Sequence, residues 1–96
     1  MWNYLTEFVG TFIFLSVILA CSDAPVISKA LPIGLALAVV VYFGGGVSGG
    51  HFNPAVSTMV LVKGGISIET WVGYVIAQVL GGLLALMWYK STKAKK

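Results

Sequence analysis

Asn53 is the residue of this chain best placed to handle a small polar molecule. It precedes Pro54 and Ala55 at the head of a short apolar run that ends at Val62 and stops at Lys63-Gly64-Gly65. An Asn in this position caps a helix with its side-chain oxygen, and Pro suits the first helical position. Gly64 is a natural C-terminal stop. The spacing predicts a helix of about nine residues, roughly 14 Å long at 1.5 Å per residue. That is about half of the roughly 30 Å hydrocarbon thickness of a bilayer. On a polar path, the Asn53 amide and the positive end of this helix would donate to a passing water oxygen, disfavour cations and interrupt a proton-conducting water chain.

Glu7, His51 and Gln78 are the other polar groups that draw notice, because the segments around Glu7 and Gln78 are apolar. A carboxylate at membrane depth either takes part in function or is tied to backbone. His51 has no nucleophile or acid placed to work with it, so it reads as a structural partner. No nucleophile–base pair or metal constellation is present, which argues against an enzyme, and nothing calls for a cofactor. Cys21 is the only cysteine and reads as a small packed residue. Gly44-Gly45-Gly46-Val47-Ser48-Gly49 formally fits G-x-G-x-x-G, with Glu69 twenty residues beyond Gly49. Without a preceding strand this is no dinucleotide site.

The elements that must carry these residues read as membrane spans. Of 96 residues, 58% are hydrophobic and only 9% charged, against roughly 25% charged in soluble domains. An integral, multi-pass membrane protein is the expected class. One span runs from about Leu5 to Cys21, behind the interfacial aromatics Trp2 and Tyr4. It has no basic region ahead of it and is expected to be retained. Ser22-Asp23-Ala24-Pro25 is a loop. A second span runs from about Ser28 to Phe43, with Pro32 tolerated only in or near its first turn. Helical propensity then collapses in the glycine cluster. A third span, capped by Ser67 and with Glu69 at its positive end, extends to about Tyr89 beside Trp88. Its Gly73, Ala77, Gly81 and Ala85, spaced by four, form a small-residue face for close helix packing. Residues 90–96 form a basic tail that reads as an interfacial anchor. Its lysines lack interleaved Arg or aromatic residues, which argues against nucleic acid.

The glycine-rich backbone from Gly44 to Gly50 cannot lie bare in lipid. It must be buried in protein or line water. Two readings satisfy this physics: a re-entrant loop on a polar path, or a surface loop followed by a short interfacial helix.

Ser48-Gly49-Gly50-His51-Phe52-Asn53-Pro54-Ala55-Val56 resembles the first Asn-Pro-Ala loop of the aquaporin and aquaglyceroporin (major intrinsic protein) family. Thr6-Glu7-Phe8-Val9-Gly10-Thr11-Phe12 resembles that family's first helix, and Tyr74-Val75-Ile76-Ala77-Gln78 with Gly81-Gly82 resembles its third. The resemblance implies an all-α membrane protein: three transmembrane helices plus one re-entrant half-helix, with the re-entrant loop and half-helix together over about residues 44–63, as half of an aquaporin fold. It implies a passive channel for water and small neutral solutes such as glycerol. Asn53, Pro54 and Ala55 would be the pore motif, and the carbonyls of Gly49, Gly50, His51 and Phe52 an acceptor ladder. Glu7 and Gln78 would brace the loop through hydrogen bonds to backbone.

The family has two such loops on inverted halves, and this sequence has one. Pairing of two inverted copies would restore the pore, face to face at Asn53, and such dimers could assemble further into tetramers of dimers. Ungapped alignment gives a selectivity filter of Ile33, Gly50 and Val56, with Val56 in the slot that holds the filter Arg in the family's second loop. Such a filter is wider and less polar than one built for water alone. Lys29 and the tail lysines Lys90, Lys93, Lys95 and Lys96 fall on one side and Lys63 on the other, which favours one orientation with the C-terminus cytoplasmic. The rival expectations are a half-subunit that needs a complementary second-half chain, a dual-topology proton-coupled transporter using Glu7, and a non-conducting membrane assembly protein.

Overall fold

The computed structural model describes residues 1–94; Lys95 and Lys96 of the basic tail lie outside the described residues. Four helices follow in order: α1 (Trp2–Ala20), α2 (Val26–Ser48), α3 (Pro54–Lys63) and α4 (Ile68–Ala94). Among the described residues there is no strand, and the chain is an all-α membrane fold. Three helices are long and apolar enough to cross a bilayer, whereas α3 has ten residues.

The α3 boundaries follow from local chemistry. The Asn53 side chain accepts a hydrogen bond from the Ala55 amide at 2.8 Å, Pro54 takes the first helical position, and Gly64 closes the helix with φ 91°. Ser67 caps α4 by accepting from the Thr70 amide at 3.1 Å, with Glu69 in the first turn.

The largest difference from the sequence reading is at the end of α2. Instead of stopping near Phe43, the helix continues through Gly44, Gly45 and Gly46 to Ser48 and ends at Gly49 with φ 92°. Each glycine costs a helix about 1 kcal/mol relative to Ala, and at Gly44 packing offsets it. A Cβ on Gly44 would lie 2.8 Å from Thr6 Cγ2 and 3.0 Å from Phe52 Cζ, and a Cβ on Gly10 would overlap the same Phe52 ring. The two glycines thus make a slot between α1 and α2 into which Phe52 inserts, 3% exposed. Pro32 also differs in position. With α2 starting at Val26 it falls in the second turn, where it withholds an amide from the Ser28 carbonyl. At the other end of the chain, α4 runs past Tyr89 through Lys90 and Lys93 to Ala94.

α1 sits between α2 and α4, while α3 lies against α4. The face of α4 carrying Gly73, Ala77, Gly81 and Ala85 is the one in contact. A Cβ at Gly81 would come 2.6 Å from the Phe8 carbonyl oxygen, one at Gly73 would overlap Tyr4, and Ala85 is fully buried. Tyr4 is therefore a packing residue, edge-on to Tyr74 at 5.8 Å, whereas Trp2 stays 71% exposed. At the far end Lys93 reaches Asp23 at 3.3 Å. This exposed pair lies where the end of α1 meets the end of α4.

Candidate functional site

The site is built around a carboxylate in the second turn of α1. Glu7 is fully buried and accepts four hydrogen bonds. Oε2 takes the Ser48 hydroxyl at 2.7 Å and the His51 amide at 3.0 Å, and Oε1 takes the Phe52 amide at 2.7 Å and Gln78 Nε2 at 2.9 Å. The segment between α2 and α3 is thus fastened to α1 by its backbone amides and to α4 through Gln78. A buried charge is tolerable when its lone pairs are all satisfied, and here each oxygen has two donors.

A second set of contacts fixes the half-helix. Gln78 Nε2 also donates to Ser57 Oγ at 2.9 Å, and Ser57 Oγ lies 2.7 Å from His51 Nδ1. The Tyr74 hydroxyl donates to the Ser48 carbonyl at the end of α2. Trp71 Nε1 donates to Thr58 Oγ1 at 3.0 Å. Ser48, Ser57, Thr58, Trp71 and Tyr74 are the members of this network to which sequence reasoning gave no role. Two spacings carried a signal. Ser57 stands four residues after Asn53, one turn into α3, and Tyr74 stands four before Gln78 on the same face of α4.

These braces force an unusual backbone at Phe52, which has φ 51°, a conformation costing a non-glycine residue about 1–2 kcal/mol. The Glu7 bond to its amide and its ring in the glycine slot hold it there. None of the hydrogen bonds among the described residues ends on the carbonyls of Gly49, Gly50, His51 or Phe52. Asn53 spends its Oδ1 on the α3 cap, and its Nδ2 has no partner among the described residues. Capping therefore turns the side chain so that its two N–H donors are the free end. Asn53, Pro54 and Ala55 are all exposed on this single chain.

Asn53 opens onto a groove of about 530 Å³ between α1 and α4. Thr11, Phe14, Phe52, Asn53, Gln78 and Leu83 are among its lining residues. Polar contact is confined to a few positions in an otherwise apolar wall. The residues of the expected filter are not brought together in one chain. Ile33 lies fifteen residues before Ser48 on α2, about 22 Å away along the helix axis at roughly 1.5 Å per residue. Gly50 and Val56 lie beyond that far end, flanking the α3 cap.

The geometry agrees with comparisons to known proteins. The family model described as major intrinsic protein matches residues 1–95. The glycerol uptake facilitator protein-like 6 of Lactiplantibacillus plantarum is 45% identical over 96 residues, covering 95% of this chain and 44% of that protein. Aquaporin Z of Brucella melitensis is 40% identical over 95 residues, covering 88% of this chain and 42% of its own length. Aquaporin-8 of Mus musculus is 40% identical over 85 residues, covering 83% and 33%. The chain spans less than half the length of each of these relatives. With the Asn-Pro-Ala loop, the half-helix and the family match over nearly every residue, this chain belongs to the major intrinsic protein family, whose members are membrane channels and not enzymes.

Proposed function

We propose that the chain forms one half of a passive channel for water and small neutral solutes such as glycerol, and that two inverted copies pair around Asn53 to complete it. The observation that carries this reading is the free end of the Asn53 amide at the head of a half-length helix, followed into the loop by four carbonyls without partners among the described residues. Donors and acceptors in that order replace the hydration of a permeating water. The helix end disfavours cations, by the principle established for aquaporin-type pores. Polyols fit the same pattern, and a glycerol uptake facilitator protein-like relative supports that solute class.

In the paired state Ile33 of one copy would meet Gly50 and Val56 of the other. An inverted partner carries its own Gly50 and Val56 toward the end of the pore where Ile33 lies. The Glu7 carboxylate is committed to the loop, with Ser48, His51, Phe52 and Gln78 all donating to its two oxygens, which supports bracing over the transporter reading. The lysine asymmetry favours a second reading, in which a complementary second half, rather than an inverted copy, closes the pore.

Osmotic shrinkage of liposomes containing only the purified chain tests the proposal, with Cys21 labelled by a membrane-impermeant thiol reagent to score orientation. Water flux above that of protein-free vesicles, with label reaching a substantial fraction of Cys21 from each side, is the expected result. Baseline flux from folded protein present in both orientations overturns the homomeric channel.

A further inference from the structure

Two buried oxygens on the groove beside Asn53 have no hydrogen-bond partner among the described residues: Thr11 Oγ1 and Gln78 Oε1. Both residues are 2% exposed, and both line the groove. Neither is explained by the brace around Glu7. Gln78 uses its amide nitrogen twice, toward Glu7 and Ser57. A flipped amide would set its oxygen against the Glu7 carboxylate, so the orientation is fixed by charge and Oε1 is the end left over. Thr11 stands one turn beyond Glu7 on α1, the helix that Gln78 reaches from α4. A buried polar group left unsatisfied is costly, and more so where lipid surrounds the protein. The two oxygens do not bond each other. A hydroxyl entering the groove is the kind of group that satisfies such unpartnered polar atoms.

We propose that Thr11 and Gln78 form a hydroxyl-binding step on the groove wall next to Asn53, taking one O–H group of a passing water or polyol. The hydroxyl donates its proton to Gln78 Oε1 and shares a hydrogen bond with Thr11 Oγ1. A permeating molecule that leaves the Asn53 amide then meets an acceptor and a hydroxyl before the apolar stretch of Phe14 and Leu83. This step rests on the channel reading, because it assigns the groove to the permeation path. It adds side-chain contacts to the Asn53 amide and the loop carbonyls.

The test uses the whole chain in lipid and two independent readouts. The first is water-edited solid-state NMR. Thr11 and Gln78 side-chain signals should build up from water protons as fast as those of exposed Asn53, and labelled glycerol should add cross-peaks to Thr11 if polyols use the step. Slow build-up equal to that of buried Ala85, or cross-peaks from protein protons alone, overturns the proposal whether or not the chain conducts. The second readout is flux. Thr11→Val should lower water flux per folded protein about two- to tenfold, the scale of one neutral hydrogen bond, while Thr11→Ser keeps it. Wild-type flux from Thr11→Val together with an equal or higher melting temperature would mark the hydroxyl as a dry orphan and overturn the step. A wild-type chain that conducts nothing but has a wet Thr11 removes the channel reading and leaves the binding site standing.

Discussion

Glu7 Oε1 accepts the amide proton of Phe52 at 2.7 Å across 45 residues of sequence. That bond links the second turn of α1 to a residue of positive φ, directly before the helix cap at Asn53. The pose of Asn53 thus depends on a carboxylate that does not touch it.

Glu7→Gln tests this dependence. The substitution keeps the shape but places an NH₂ group among four donors, so at least one donor is left facing another. Hydrogen bonds to a charged group are worth about 1.5–3 kcal/mol each, and a loss of about 3 kcal/mol or more is expected. Thermal unfolding in detergent reads it. A variant as stable as wild type would show that the carboxylate is not what holds the loop.

The slot for Phe52 predicts a compensating pair. Gly10→Ala puts a methyl group into the Phe52 ring and should cost about 1–3 kcal/mol through overpacking. Phe52→Leu should cost stability by itself yet recover part of the Gly10→Ala loss when the two are combined. Additive losses in that double-mutant cycle would place the clash elsewhere.

Asn53 has two roles that substitution separates. Asp is as good a helix cap as Asn, so Asn53→Asp should leave the melting temperature nearly unchanged while removing both N–H donors and adding a negative charge at the groove. Asn53→Ala should cost about 1 kcal/mol through the lost cap. Water flux should fall in both variants. Full flux in the stable Asp variant would show that the free amide is not on the water path.

The filter assignment predicts an order of losses. Ile33→Phe or Val56→Phe narrows the expected constriction and should cut glycerol flux before water flux, measured side by side in stopped-flow light scattering. Because each constriction would take Ile33 from one copy and Val56 from the other, a mixed pore carries both bulky residues at one end, so mixing the two variants should push glycerol flux below the average of the single variants only if each pore contains two chains. Glycerol flux equal to that of wild type in both single variants would remove these residues from the filter.

Much of the fold was legible because its signals are local. Asn53 and Pro54 start α3 and Gly64 ends it, since capping is decided within one turn. The shortage of charge and the three apolar runs made the spans visible by composition alone. The spacing-by-four of Gly73, Ala77, Gly81 and Ala85 marked the packed face of α4 before its neighbour α1 was known. Glu7 and Gln78 stood out as polar groups in apolar segments, but nothing in the sequence named their four- and two-fold partnerships.

What the sequence by itself determined were the two ends of α3, its half-length and the chemistry offered at Asn53, all properties of neighbouring residues. Only the tertiary structure decided that Gly44–Gly46 are helical. At Gly44 the intrinsic cost is offset by the ring of Phe52, which lies eight residues away and comes to rest against Gly10 of another helix. The separation of Ile33 from Gly50 and Val56 likewise became visible only once the unbroken length of α2 set the distance between them. The orphan oxygens of Thr11 and Gln78 are of the same kind, because a missing partner is a property of everything packed around an atom.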